Sequence, residues 1–376
     1  MENIPNNVND LEPILQRFIR ENITLHEDEV KKANQNLKSL LLGKIEEQLR
    51  KDETFQTLYK EPQYVGSYYE NLRVGHPNEF DINLELELPI KDKSILIDTT
   101  GTEPGFTKIK VEKVFKQRTP DAVRKKIESW LDKGYMNRES VMKWLQGIVD
   151  KSLTKITWPP DMTVRRTTSG PAVTLHVERN DDKFDVDLVP VFRFNKDEWP
   201  SQPIRQADDV PRNIDTSSLK WCVVPKSPRS APSSNFQWRM SFYMIEKELM
   251  RDLNNMKPII KLFKLLRDKQ EWGGLSSYYI KTLFMWEQEN QRHVVRFWRK
   301  PLSYLFIHML NVLEECLENG RIKFFWHKDC NLIDHLKPDN VKNMTGRIKF
   351  LKKLIYRALE DNRMNLSDEM DTVFTT

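Results

Sequence analysis

Glu79 and Asp81 stand two apart in the run EFDINLELELP, and Asp187 lies in FDVDLVPVF. On a strand, that spacing turns Glu79 and Asp81 to one face while Phe80 turns to the other. Two carboxylates side by side repel each other, so the pair is costly unless a cation sits between them. Mg2+ suits such a place, since it takes one or two carboxylates together with phosphate oxygens and retained waters. Two such ions, ~3.5–4 Å apart, can hold the attacking and leaving oxygens of a phosphoryl transfer. A third carboxylate on a neighbouring strand would complete the second ion's site, and Asp187 can supply it. Ser67 precedes Glu79 by 12 residues, and the Gly66-Ser67 turn lets backbone N–H groups approach a phosphate because glycine has no side chain in the way. Singly these are a solvated strand edge, a turn and a polar hairpin face; in this order they point to nucleotide chemistry.

The elements that must position these residues follow from periodicity. Residues 11–50 read as one long helix with Leu37, Leu40, Leu41, Ile45 and Leu49 at helical spacing. Beyond Pro62 the pattern turns to strands: Ile82–Leu88 alternates, Phe106–Phe115 is a basic strand, and the GTEPG turn at 101–105 lies between them. Thr119-Pro120 reads as a helix start, opening helices over roughly 120–133 and 137–151. Strands return at 163–168, 172–179 and 183–192, the last two joined by the Asn180-Asp181-Asp182 turn. Six prolines from Pro200 to Pro232 mark an extended connector, after which the helical period dominates. Met240, Phe242, Met244, Ile245 and Leu249 read as an apolar helical stripe, and Trp286, Trp298 and Trp326 as core or groove lining. The fold class is α+β: a mixed-sheet lobe with the long N-terminal helix over 1–212, then a helical lobe over 213–376.

Composition narrows the classes. The 376 residues carry 60 Lys+Arg and 55 Asp+Glu, a formal charge of +5 that names no partner by itself. No run approaches the ~20 apolar residues of a membrane span. The N-terminus has neither a basic nor an apolar leader segment. Three cysteines, Cys222, Cys316 and Cys330, are no disulfide framework and fit a reducing compartment. The expectation is a cytoplasmic protein without membrane association.

The run GSYYENLRVGHPNEFDINLELELP (66–89) resembles the core of the cyclic GMP-AMP synthase family, including the animal cyclic GMP-AMP synthase-like receptors, within the nucleotidyltransferase superfamily. The resemblance covers about residues 55–335. It implies a bilobal nucleotidyltransferase fold, with Ser67 and Gly66 at a phosphate and Glu79, Asp81 and Asp187 as metal-binding acids. Asp185 is the weaker candidate, because the family strand aligns through Val186-Asp187-Leu188. In the helical half, Arg239 of WRMSFYMIEKELM matches a base-contacting arginine and Lys264 of KLFKLLRDK a lysine on the donor phosphates. Ser277 and Tyr278 of LSSYYIKTLF match a phosphate contact and a base stack. The implied activity is a Mg2+-dependent synthesis, with Mn2+ as a substitute, of a cyclic dinucleotide second messenger from ATP and GTP in innate immune sensing. An inactive scaffold and a synthase of linear oligonucleotides are the alternatives.

One departure bears on the activator. The DNA-sensing synthase has a His-Cys-Cys-Cys zinc insertion where this chain has MRDLNNMKPII (250–260), which contains neither residue type. No structural zinc is expected, and double-stranded RNA is favoured over DNA. Cys316, His327, Cys330 and His335 match no standard zinc spacing. A basic helix face of Lys31, Lys32, Lys38, Lys44, Arg50 and Lys51 could neutralise duplex phosphates, although Glu27, Asp28, Glu29, Glu46 and Glu47 interleave with it. An oligomer assembled on nucleic acid is compatible with such a face.

Overall fold

The structure is a computed structural model that describes residues 4–23, 37, 42–75, 78–91, 93–167, 172–180, 182–209, 219–294, 296–361 and 363–374. Contacts divide the chain into two units, one of Met1–Leu25, Asn71–His76 and Glu246–Thr376, the other of His26–Glu70 and Pro77–Ile245.

The second of these is built on a sheet of eleven described strands. In chain order they are β1 (Tyr59–Val65), β2 (Glu79–Leu86), β3 (Ile95–Asp98), β4 (Phe106–Val111), β5 (Leu131–Asp132), β6 (Tyr135–Met136), β7 (Met162–Thr167), β8 (Val173–Arg179), β9 (Asp182–Asn195), β10 (Lys220–Val224) and β11 (Gln237–Ser241). The main path runs β1-β2-β9-β10-β11-β4-β6-β5, with β3 on β4 and the β7–β8 pair joined to β9. β9 is the hub. It pairs in parallel with β2 along residues 185–192, antiparallel with β8 along 182–188, and antiparallel with β10 along 192–195.

One face of this centre is wholly apolar: Phe80, Ile82, Leu84 and Leu86 of β2 alternate inward beside Val186 and Leu188 of β9 and Leu175 and Val177 of β8. The helix Arg138–Leu153 packs on β8 and β9, capped by Asn137, whose side chain accepts from the Ser140 N–H. The other face of β2 departs from the simple alternation expected, because Asn83 and Glu85 are buried as well. Glu85 is 1% exposed and is satisfied by Arg193 at 3.2 Å and the Tyr243 hydroxyl at 2.6 Å. A central strand is covered on both sides, so its polar face must find partners in place of water.

Several boundaries differ from the sequence reading. The proline-rich connector contains β10, because the proline-free run KWCVV is apolar and buried between β9 and β11. The sheet therefore extends past residue 212, as far as β11 at Gln237–Ser241. Met240 belongs to β11, not to a helix; helical structure starts at Tyr243. The helix after Pro120 spans Asp121–Ser129, and Thr119 does not cap it, its hydroxyl donating to the Lys116 carbonyl. Of the expected long first helix, Glu12–Phe18 and Gly43–Leu49 are helical, while residues 24–36 and 38–41 lie outside the described residues.

The helical unit contains α1 (Glu12–Phe18), α2 (Met256–Lys269), α3 (Ser277–Asn290), α4 (Leu302–Glu318), α5 (Pro338–Glu360) and α6 (Leu366–Phe374), labelled here within this unit. In its core Phe263 meets Phe284 and Phe306 edge-to-face. Glu246 is buried there, holding Lys281 at 2.9 Å, the Tyr278 hydroxyl at 2.7 Å and the Trp326 indole N–H at 2.8 Å. Burial alone would raise its carboxyl pKa; the Lys281 charge and these donors outweigh that and hold it below the ordinary value.

Replacing Glu246 by alanine strands the Lys281 ammonium. We expect a loss of about 3–5 kcal/mol in the unfolding transition of this unit, read by urea titration. Because the folded pKa is depressed, the stabilisation is present above the unfolded glutamate range and fades as pH falls towards the folded value. Glu246→Ala should lack that acid limb. A loss below about 1 kcal/mol would mean the cluster contributes no more than an exposed pair.

Candidate active site

The in-register parallel pairing of β2 and β9 sets Asp81 opposite Asp187 and Glu79 opposite Asp185. All four carboxylates stand on the face opposite the Phe80 core. Ligand oxygens of Glu79, Asp81 and Asp187 lie within 4.8 Å of one another. Among the described residues, no other set of three or more His, Cys, Asp or Glu side chains converges this way. Such closeness of like charges, with Glu79 exposed and Asp81 and Asp187 half-buried, is an arrangement that a hard divalent cation would relieve.

The Gly66-Ser67 turn lies against this cluster. β1 ends at Val65, antiparallel to β2 with Val65 opposite Asp81, and Gly66–Tyr69 form a single helical turn. Gly66 has φ +77°, and a Cβ there would stand 1.9 Å from Asp81 Oδ2. Glycine is demanded twice, by a left-handed backbone and by the carboxylate pressed against it. Beneath the turn, Tyr68 meets the Phe80 ring edge-on at 4.9 Å, and Phe80 meets Phe184 at 5.5 Å, so aromatic packing fixes the turn to the strand that bears the acids.

Sequence reasoning missed two residues of β8. Thr174, opposite Asp187, donates its hydroxyl to Asp187 Oδ1 at 2.6 Å. His176, opposite Asp185, has Nδ1 2.7 Å from Asp185 Oδ1 and Nε2 3.3 Å from Glu178 Oε1. The Asp185 hydrogen bond, with Glu178 adding to it, raises the imidazole pKa above its ordinary value. Hairpin register was the available signal, since counting back from the Arg179–Asp182 pair places both residues.

The remaining candidates are distributed over both units. Arg239 is on β11, its guanidinium 5.4 Å from the Phe106 ring centroid. It adds, after burial, to the lowering of the Lys226 pKa. In the helical unit Lys264 is buried, donating to the Leu72 carbonyl. Ser277 accepts from Arg267 at 2.6 Å. Ser276 caps α3, and Tyr278 is held through its hydroxyl by Glu246. Of the basic face, Lys44 donates to the Thr157 carbonyl at 2.9 Å, Arg50 pairs with Glu46 at 2.8 Å and Lys51 with Gln48 at 2.9 Å. Lys31, Lys32 and Lys38 lie outside the described residues.

Gly66→Ala should displace the Asp81 carboxylate and weaken Mn2+ binding about 10-fold or more, measured by calorimetry. Gly75 has nearly the same φ, +76°, with nothing within 4 Å of the point a Cβ would occupy; Gly75→Ala should leave Mn2+ affinity unchanged. Equal effects from both would assign the loss to backbone strain instead of the carboxylate.

Residues 68–252 match the family described as Mab-21 protein nucleotidyltransferase domain, and residues 255–350 the Mab-21 protein HhH/H2TH-like domain. The chain is similar to the cyclic GMP-AMP synthase-like receptor of Aethina tumida, 34% identical over 357 residues, 91% of this chain and 87% of the relative. It is 30% identical to that of Trichogramma pretiosum over 362 residues, 92% of this chain and 73% of the relative. To that of Tribolium castaneum it is 30% identical over 395 residues, 99% of this chain and 92% of the relative. Among the described residues, no helix is long and apolar enough to cross a membrane. Likeness of this extent, running through both matched domains, means that the chain belongs to the cyclic GMP-AMP synthase-like receptors and has their Mab-21 nucleotidyltransferase fold.

Proposed function

We propose that this nucleotidyltransferase joins ATP and GTP into a cyclic dinucleotide of the cyclic GMP-AMP type, in the cytoplasm, as a second messenger of innate immune sensing. The observation that carries the reading is the convergence of Glu79, Asp81 and Asp187 on two paired strands, with Gly66 closed against Asp81. The donor set is all oxygen and all anionic, which fits Mg2+, or Mn2+ in its place.

In this reading Glu79, Asp81 and Asp187 bind the cations, with Asp187 on the side of the attacking ribose hydroxyl. Bound Mg2+ supplies charge neutralisation at the transferring phosphoryl group. Gly66 and Ser67 take phosphate oxygens through the turn. Lys264 and Ser277 bind the donor triphosphate; an ammonium has three N–H donors, so the Leu72 bond does not preclude that contact. Arg239 and Tyr278 place the bases. A ribose hydroxyl of one nucleotide attacks the α-phosphorus of the other, the bond to the β-phosphate breaks, and pyrophosphate leaves. A second transfer of the same kind within the linear product forms the second phosphodiester, which closes the ring and releases a second pyrophosphate. The protein's part is positioning and electrostatics.

Double-stranded RNA is the proposed activator, through cations neutralising backbone phosphates without reading sequence. The support is the absence of His and Cys from 250–260 and the basic residues Lys31, Lys38, Lys44, Arg50 and Lys51. Within the described part of that face, Lys44 and Arg50 also have intramolecular partners.

The test is purified protein with Mg2+ and the four ribonucleoside triphosphates, each radiolabelled in turn, with and without double-stranded RNA or DNA. A phosphatase-resistant product should form with RNA and fall on the order of 10³-fold in Glu79→Ala/Asp81→Ala. A phosphatase-sensitive ladder would mean linear oligonucleotides. Product with DNA alone would overturn the choice of activator. No product under any ligand, together with no triphosphate binding, would mark an inactive scaffold.

A further inference from the structure

The acids of β2 and β9 do not end at two strands. Each row continues onto β8: Asp81–Asp187–Thr174 in one and Glu79–Asp185–His176 in the next. Four carboxylates on one face of two adjacent strands is more negative charge than three ligand groups need, and like charges directly opposite each other are destabilising. β8 answers each β9 acid with a donor. An ionised carboxylate only accepts, so Thr174 must be the donor at 2.6 Å, a length typical of a charge-assisted O–H···O⁻ bond. Threonine is stiff about χ1, so Asp187 Oδ1 is fixed by a side chain with little freedom. His176 meets Asp185 at 2.7 Å, and Glu178 and Lys183, paired at 3.2 Å, continue that chain away from the cluster. The converging set includes Asp187 and omits Asp185.

We propose that β8 sorts the two β9 acids, Thr174 orienting Asp187 as a metal ligand and His176 withholding Asp185 from the cation cluster. Both are positioning residues, acting through a carboxylate. This rests on the reading of Glu79, Asp81 and Asp187 as cation ligands, and it adds what makes the set three and not four.

The test uses the full chain and Mn2+ titration by calorimetry without nucleotide, beside product formation across a range of Mg2+. Thr174→Val, which keeps the shape and removes the hydroxyl, should weaken Mn2+ binding about 10–100-fold and raise the Mg2+ requirement, with much of the rate returning at high Mg2+. Thr174→Ser should restore wild-type binding. His176→Ala should release Asp185 and add a further Mn2+ equivalent, which His176→Ala/Asp185→Asn should remove. Wild-type affinity in folded Thr174→Val, or unchanged stoichiometry in His176→Ala, overturns the sorting. Undiminished Mn2+ binding in Glu79→Ala/Asp81→Ala would instead overturn the underlying ligand assignment, so the two failures are distinguishable.

Discussion

The parallel, in-register pairing of β2 with β9 is the interaction on which the rest depends. It joins segments roughly a hundred residues apart in the chain and sets acid opposite acid twice, an arrangement electrostatics alone opposes. The pairing is held from the opposite face, where Phe80, Ile82, Val186 and Leu188 are all fully buried. A slip of one residue would carry every one of these into the polar face. Core packing thus fixes the register, and the register in turn holds the carboxylates together.

The polar face of β2 meets the same problem in two ways along one strand. At its start Glu79 is open to water and Asp81 half open. Further along the strand, Asn83 and Glu85 are buried, and Glu85 has a permanent cation in Arg193. Burial of a charge demands a partner from the protein itself, while at the surface end water shares that role.

Much of this was legible in the sequence. The two-residue spacing of Glu79 and Asp81, the Gly66-Ser67 turn and the hairpin at Asn180 are local signals, and local signals determine faces. β10 is hidden in the sequence because its proline-free run KWCVV is short and lies among prolines. The Met240 region failed because the strand-forming residues preceding the helix share apolar character with it. The carboxylate set is readable from the acids, whereas its partners on β8 are legible only through hairpin register. The tie between Gly66 and Asp81 was invisible because it depends on where β1 ends relative to β2, a tertiary fact.

The length and position of β9 have a consequence for synthesis. Its first half pairs with β8 and its second with β10, while β2 runs along most of both. As the chain leaves the ribosome, β2 emerges early with its apolar side lacking the neighbour that completes it. Until residue 195 or so is out, the nascent sheet has an unsatisfied central edge, the kind of exposed strand that recruits wrong partners. The acids of the two strands meet only when this strand docks, so the carboxylate cluster forms late and in one step, well after much of the sheet's sequence has been made.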